Sequence, residues 1–317
     1  MELHHLRYFV AVAHHLSFTK AAEECRVAQP SLSQQVRRLE KELHARLFDR
    51  VGVRVHLTDV GRILLPRAEE ILKAVEDSKA AVQDVIGVKR GRVVLGTLPM
   101  TGSRVLPQAV AAFRTRYPEV QVVLREESTA ALTEMVMRGE TDITLTTLPV
   151  VHEELAVMEV LTEDILLAVP PGHKLANMKG PVELIAVAKE PFMVLKQGFG
   201  FRDLALQSCR KAGFEPRIAY ESAHVDTIQA MVAVGLGVTL VPRMAAERDR
   251  DPAPVFLEVV RPRITRTLAL VWRRDRYISS AAAAFLDVAR WLWARPGAEG
   301  EADPSRESPP RNGAPGP

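Results

Sequence analysis

Two cysteines in 317 residues, Cys25 and Cys209, leave no disulfide scaffold and suit a reducing compartment. No apolar run approaches membrane-span length, and the amphipathic start reads as a helix rather than a signal peptide. A cytoplasmic protein with no membrane partner is expected. Charge of one sign is missing too. A formal net charge of +3, from 42 basic and 39 acidic residues, does not by itself announce a nucleic-acid partner, so only local placement can. Catalytic signatures are also absent. There is no HExxH, Walker or GxSxG sequence, and Gly198-Phe199-Gly200 is too little for a nucleotide loop, so a non-enzyme is expected. Six of the nine histidines, His4, His5, His14, His15, His44 and His56, precede residue 58, but adjacent residues point apart on a helix and no further ligands accompany them. No metal and no cofactor is expected.

What is present is concentrated between Ser17 and Leu57. Ser17 or Thr19 can cap a short helix with apolar Ala21, Ala22 and Cys25, and Arg26-Val27-Ala28 then turns the chain. Gln29 opens a second helix with Pro30 in its first turn, where a missing N–H is harmless. One apolar line, Leu32, Val36, Leu39 and Leu43, runs along it. The opposite face carries Ser31, Gln34, Gln35 and Arg38, with Arg37 flanking. Hydroxyl, amide and guanidinium groups suit base edges and phosphates. Entry by the N-terminus would place Gln29, Pro30, Ser31, Ser33 and Gln34 deepest, and Arg37 and Arg38 nearer phosphates. Val53, Val55 and Leu57 alternate with Arg54 and His56 after the turn residue Gly52, which reads as a wing whose Arg50 and Arg54 flank the groove. The expectation is a winged helix-turn-helix that binds double-stranded DNA.

Residues 58–88 read as one long helix in which Leu64, Ala68, Ile71, Val75, Ser78, Val82 and Val85 form a heptad seam. Such a helix either pairs two copies or packs on its own chain. Pro66 should bend it or leave it locally unbonded. A hinge follows at Gly87, Lys89-Arg90 and Gly91. Beyond it, candidate strands 93–96, 120–125, 142–146, 165–169, 192–195, 217–220, 237–241 and 267–272 alternate with helices 106–117, 130–138, 201–212, 225–233 and 279–294. This argues for α/β architecture with largely parallel sheets. Residues 296–317, dominated by Pro, Gly, Glu and Ser, read as a disordered tail. Ligands of such folds sit at strand carboxyl ends near helix N-termini. There lie Thr97–Ser103, Ser128-Thr129, Thr146-Thr147 and Lys196–Arg202. A single hydroxyl there is more often only a helix cap; their convergence carries the weight.

The chain resembles the LysR-type transcriptional regulators over residues 1–295. The matching segments are Leu6-Arg7-Tyr8-Phe9-Val10-Ala11-Val12-Ala13, Ser17-Phe18-Thr19, Ala21-Ala22, Gln29-Pro30-Ser31-Leu32-Ser33, Leu39-Glu40, Leu43, Leu47-Phe48-Asp49-Arg50, Leu57-Thr58 and Gly61. The resemblance implies an α + α/β chain: a winged helix-turn-helix at 1–58, a linker and dimerisation helix with hinge at 59–90, and an effector domain at 91–295. That domain would have two lobes like a periplasmic binding protein, lobe I at 92–162 and 268–295 and lobe II at 163–267. Thr101, Ser103, Ser128, Thr129, Thr147, Phe201 and His224 would face its effector cleft. Expected partners are a dyad-symmetric operator, a small-molecule effector or oxidant, further copies of the chain as homodimer or homotetramer, and RNA polymerase. The rival expectation is a small-molecule binding protein without DNA function.

The effector region is similar, further, to the peroxide-sensing OxyR branch of the family, through Gly96-Thr97-Leu98-Pro99, Thr129, Arg202–Cys209 and Gly237–Pro242. In that branch a reactive cysteine lies nine residues before a second one, and here the first position is Gly200. Cys209 thus matches the resolving partner, and Met100 stands where the branch has threonine. The intramolecular disulfide switch is excluded, because Gly200 has no thiol and Cys25 belongs to another domain. A one-cysteine redox regulator acting through Cys209 is the alternative, with Arg202 and Arg210 expected to lower its pKa. Against it, Leu206 and Cys209 share apolar helix spacing.

Overall fold

The computed structural model describes residues 1–51, 54–85, 91–246 and 251–293, in two units, Met1–Gly87 and Val88–Pro317. The expected turn residue Gly52, the wing residue Val53, the hinge residues Gly87, Lys89 and Arg90, and the tail at 296–317 lie outside the described residues, while Gly91 of the expected hinge opens a strand.

The first unit opens with α1 (Leu3–His15), α2 (Phe18–Cys25) and α3 (Gln29–Glu42). Ser17 caps α2, its hydroxyl accepting from the Lys20 N–H. Arg26 ends α2 in the left-handed region at φ 55°, which turns the chain into α3 in three residues. Leu6, Phe9 and Val12 of α1 bury against the α3 line Leu32, Val36 and Leu39. Each such side chain contributes about 1.5–3 kcal/mol on burial. Leu43 leaves this line. The helix stops at Glu42, His44 takes φ 51°, and the Leu43 side chain stays exposed. Strands β1 (Phe48–Val51) and β2 (Arg54–Leu57) then pair antiparallel, Phe48 opposite Leu57. The Phe48 ring sits 5.4 Å from that of Phe9 and 5.7 Å from that of Phe18, locking the hairpin to the helices.

Helix α4 (Asp59–Val85) continues through Pro66, where it is one hydrogen bond short because proline has no N–H. The expected seam divides. Of its residues, Ala68 is buried in the first unit's core and Leu64 packs against that core, as do Leu65 and Leu72 outside the seam, whereas the seam residues Ile71 and Val82 are uncovered, and so is Ile63 beside them.

The second unit contains β3 (Gly91–Thr97), α5 (Pro99–Arg116), β4 (Val120–Glu126), α6 (Thr129–Arg138), β5 (Ile143–Thr147) and the long β6 (Leu155–Val169). Then come β7 (Val182–Glu183), β8 (Pro191–Leu195), α7 (Gly200–Lys211), β9 (Arg217–Ser222), α8 (Val225–Ala233), β10 (Thr239–Pro242), β11 (Val255–Val260), β12 (Thr265–Arg273) and α9 (Ser280–Trp293). Two cores form. One gathers Leu95, Leu106, Phe113, Ile143, Leu270 and Phe285, and the other Leu167, Leu184, Phe192, Val232 and Val241. The sheets are mixed rather than largely parallel. β3 runs parallel to β4 and β5, β8 to β9, and β11 to β7. β12 is antiparallel to β5 and β6, as are β10 and β11 to β6. The physical reason is that β6 serves both halves. Its first part pairs with β12 beside the first core, and its last residues pair with β10 and β11 beside the second.

Gly61 closes the first unit. A Cβ there would lie 2.3 Å from the Leu47 carbonyl oxygen and 2.8 Å from a Leu57 methyl. Gly61→Ala should therefore destabilise the unit by about 1–3 kcal/mol through overpacking. Urea denaturation followed by far-UV circular dichroism measures this; an unchanged midpoint would show that α4 can move off Leu47 at no expense.

Candidate functional site

On α3, burial of Leu32, Val36 and Leu39 turns Ser31, Gln34, Arg37 and Arg38 outward, with Gln29 and Pro30 exposed at the helix start. Ser33 departs from expectation. It is 3% exposed, and its hydroxyl accepts from Arg37 Nη2 at 3.3 Å. It therefore holds Arg37 rather than standing free at a groove, because its helix angle falls beside the buried stripe. The Arg50 and Arg54 side chains lie outside the described residues.

Two supports of α3 escaped the sequence reading. Glu40 Oε1 accepts from the Leu47 N–H at 2.8 Å and the Phe48 N–H at 3.3 Å, tying α3 to the hairpin. His5 is buried; its Nδ1 accepts from the Glu2 N–H at 3.3 Å, so Nε2 carries the proton and donates to Gln35 Oε1 at 3.0 Å. No local pattern marks either, since each joins elements separated by loops.

In the second unit a cavity of about 280 Å³ is lined by residues from both halves. Thr101, Ser103, Thr129, Phe201 and His224 of the expected set line it, with Leu98, Met100, Glu126, Leu195, Phe199, Asp226 and Arg266. Helix starts converge there. Thr101 lies in the first turn of α5, and His224 precedes α8. Gly102 allows the approach of α5 to β3, since a Cβ there would sit 2.6 Å from the Thr97 methyl. Thr129 Oγ1 accepts from the Gly200 N–H at 3.0 Å, and the Ala130 N–H donates to the Gly198 carbonyl at 3.2 Å. The starts of α6 and α7 are thereby joined across the cleft.

Two expected residues do not line the cavity. Ser128 caps α6 by accepting from the Ala131 N–H, and Thr147 is buried in β5 opposite Leu268. Arg266 was missed. It is 3% exposed on β12, directly opposite Glu163 of β6, and its Nε donates to Glu163 Oε1 at 2.8 Å. Burial pushes its guanidinium below the ordinary arginine value, while Glu163 acts against that shift.

Residues 3–62 match the bacterial regulatory helix-turn-helix family of the lysR type, and residues 87–293 match the LysR substrate binding domain. The chain belongs to the LysR family. It is a LysR-type transcriptional regulator with a DNA-binding helix-turn-helix and an effector-binding domain. It is 36% identical over 310 residues to YcgK of Bacillus subtilis, an uncharacterized HTH-type transcriptional regulator, covering 92% of this chain and 94% of that one. It is 33% identical over 292 residues to the dual regulator OxyR of Escherichia coli, covering 89% and 94%. The solved full-length OxyR variant of Pseudomonas aeruginosa superposes with a TM-score of 0.71 at 26% identity, covering 92% and 95%.

The OxyR likeness puts Cys209 of this LysR protein in question, and its surroundings answer against a reactive thiol. Cys209 is 1% exposed in the second core. Burial, helped by the Glu215 charge, pushes its pKa up to about 12. The arginines expected to lower it are engaged elsewhere, Arg202 with Glu221 and Arg210 with Glu215, both at 2.7 Å. Cys25, half-buried, is also pushed up by burial. Among the described residues no cluster of three potential metal ligands occurs, and no helix is long and apolar enough to cross a membrane.

With its pKa at about 12 rather than 9.0, Cys209 at pH 8 holds on the order of a thousandfold less thiolate than a free thiol. Iodoacetamide should leave Cys209 unmodified in the native protein and label it once urea unfolds the chain. Native labelling at the unfolded rate would show that the thiol reaches solvent.

Proposed function

We propose that this regulator acts in the cytoplasm as a homodimer or homotetramer on a dyad-symmetric operator, without catalysing a reaction, and communicates with RNA polymerase. Its two-fold pairing would match two half-sites. Gln29, Ser31 and Gln34 read base edges, and Arg37, Arg38 and the wing arginines Arg50 and Arg54 hold phosphates. The observation that carries this reading is the exposed polar face of α3, set opposite the buried line Leu32, Val36 and Leu39. The uncovered Ile63, Ile71 and Val82 of α4 support pairing with a second copy. The cavity in the second unit takes a small organic effector, and closure or opening of the two halves around it changes how the paired helices grip DNA. A small molecule is favoured over an oxidant because the cavity is lined by polar groups while the thiol is enclosed.

Operator fragments selected from random DNA test this reading by electrophoretic mobility shift across a salt series. Gln34→Ala should lose about 1–3 kcal/mol of discrimination at its base pair. Arg37→Ala should weaken binding to all sequences and reduce the salt slope by about 1. Wild-type affinity, specificity and salt slope in both variants would remove α3 from the DNA interface.

A further inference from the structure

At the two places where this chain departs from the OxyR branch, Met100 and Gly200, the halves of the second unit touch. Met100 belongs to α5, which packs on the first core through Val105, Leu106, Ala109 and Phe113, yet its own side chain packs against the second core, as does Phe199. Gly200, in the first turn of α7, donates its N–H to Thr129 Oγ1 at 3.0 Å. In return the Ala130 N–H, in the first turn of α6, donates to the Gly198 carbonyl at 3.2 Å. Gly198 takes φ 95°, a conformation that favours glycine, and so lets the turn before α7 present this carbonyl. The first N–H groups of a helix have no partner inside it. Here two helices from opposite halves each satisfy one such group of the other.

The covalent connection between the halves is fastened differently. There β6 pairs with β12, Glu163 pairs with Arg266, and Met244 donates its N–H to Glu163 while packing on the first core. Strand pairing and a buried ion pair make that side the fixed one. The α6–α7 side has two hydrogen bonds whose groups water can take over, and one adaptable methionine, so it is the side that parts. Two helix starts also bring like partial charges together there, which favours parting. We propose that this contact is a latch: it holds the halves together, and an effector that fills the cavity releases it. Met100, Thr129 and Phe199 all line the cavity, so a molecule bound there competes for the Thr129 hydroxyl and for the space of the Met100 side chain. The proposal rests on the reading of the cavity as the effector site and adds the means by which its filling reaches the two halves.

Hydrogen–deuterium exchange of the full-length protein, read at single amides, tests the latch. Thr129→Val keeps the side-chain shape and removes the acceptor. Gly200 and Ala130 should then exchange at least tenfold faster, with the amides of β5 and β6 unchanged. Met100→Thr should speed the same two amides, although Met100 bonds to neither, and Met100→Leu, which keeps the apolar packing, should leave them slow. Thr129→Val and Met100→Thr should both shift operator affinity at least threefold, in the same direction. Unchanged exchange at Gly200 and Ala130, acceleration confined to Gly200 in Thr129→Val, equal acceleration in β5 and β6, or wild-type operator affinity in both variants would each overturn the proposal. If one variant does not fold, the other carries the test. The exchange readings need no ligand, so their failure removes the latch and leaves the cavity as effector site. Fast exchange and shifted affinity with no small molecule found would remove the cavity's reading alone.

Discussion

The second unit depends on the register of β6 against β12, and that register is pinned where Glu163 faces Arg266. One position away, the hydroxyls of Thr162 and Thr267 bond across the same strands at 2.8 Å. A slip of one residue would turn Arg266 to the other face of the sheet. Removing either partner of so buried a pair costs about 3–5 kcal/mol, because the remaining charge is stranded. Both cores hang on these strands. β5 borders β12 on one side, while β10 and β11 pair with the far end of β6. The ion pair therefore sits on the strands that carry the chain from one half to the other, and it presents an arginine to the cavity.

The same economy of position governs the first unit. Nothing on the exposed face of α3 fixes its own orientation. That comes from the buried line against α1, from Glu40 holding the backbone of Leu47 and Phe48, and from the Phe48 ring between Phe9 and Phe18. His5 adds a finer constraint. By donating to Gln35 Oε1 it fastens α3 to α1 through a buried imidazole.

The likeness to OxyR carries fold without carrying the thiol mechanism. Gly200 contributes a backbone N–H to Thr129 where that branch has a reactive sulfur, and Cys209 is part of a hydrophobic core. Burial both encloses this thiol and pushes its pKa up, and each works against reaction with an oxidant.

Local chemistry was legible in the sequence. Capping at Ser17, the turn at Arg26, the α3 line through Leu39 and the short apolar runs of β3, β4 and β8 follow from spacing alone, because each involves residues within a turn or strand of one another. The hydroxyl-bearing helix starts were legible for the same reason, and Thr101, Thr129 and His224 do line one cavity. Tertiary structure decided the rest. The first part of β6 was hidden because Glu159, Glu163 and Asp164 interrupt its apolar pattern, and only pairing with β12 makes it a strand. Ser33 and Ser128 look like their exposed neighbours in sequence, but packing and capping take their hydroxyls away. Glu163 and Arg266 stand 103 residues apart. Only the folded sheet removes these two charges from water and sets them face to face.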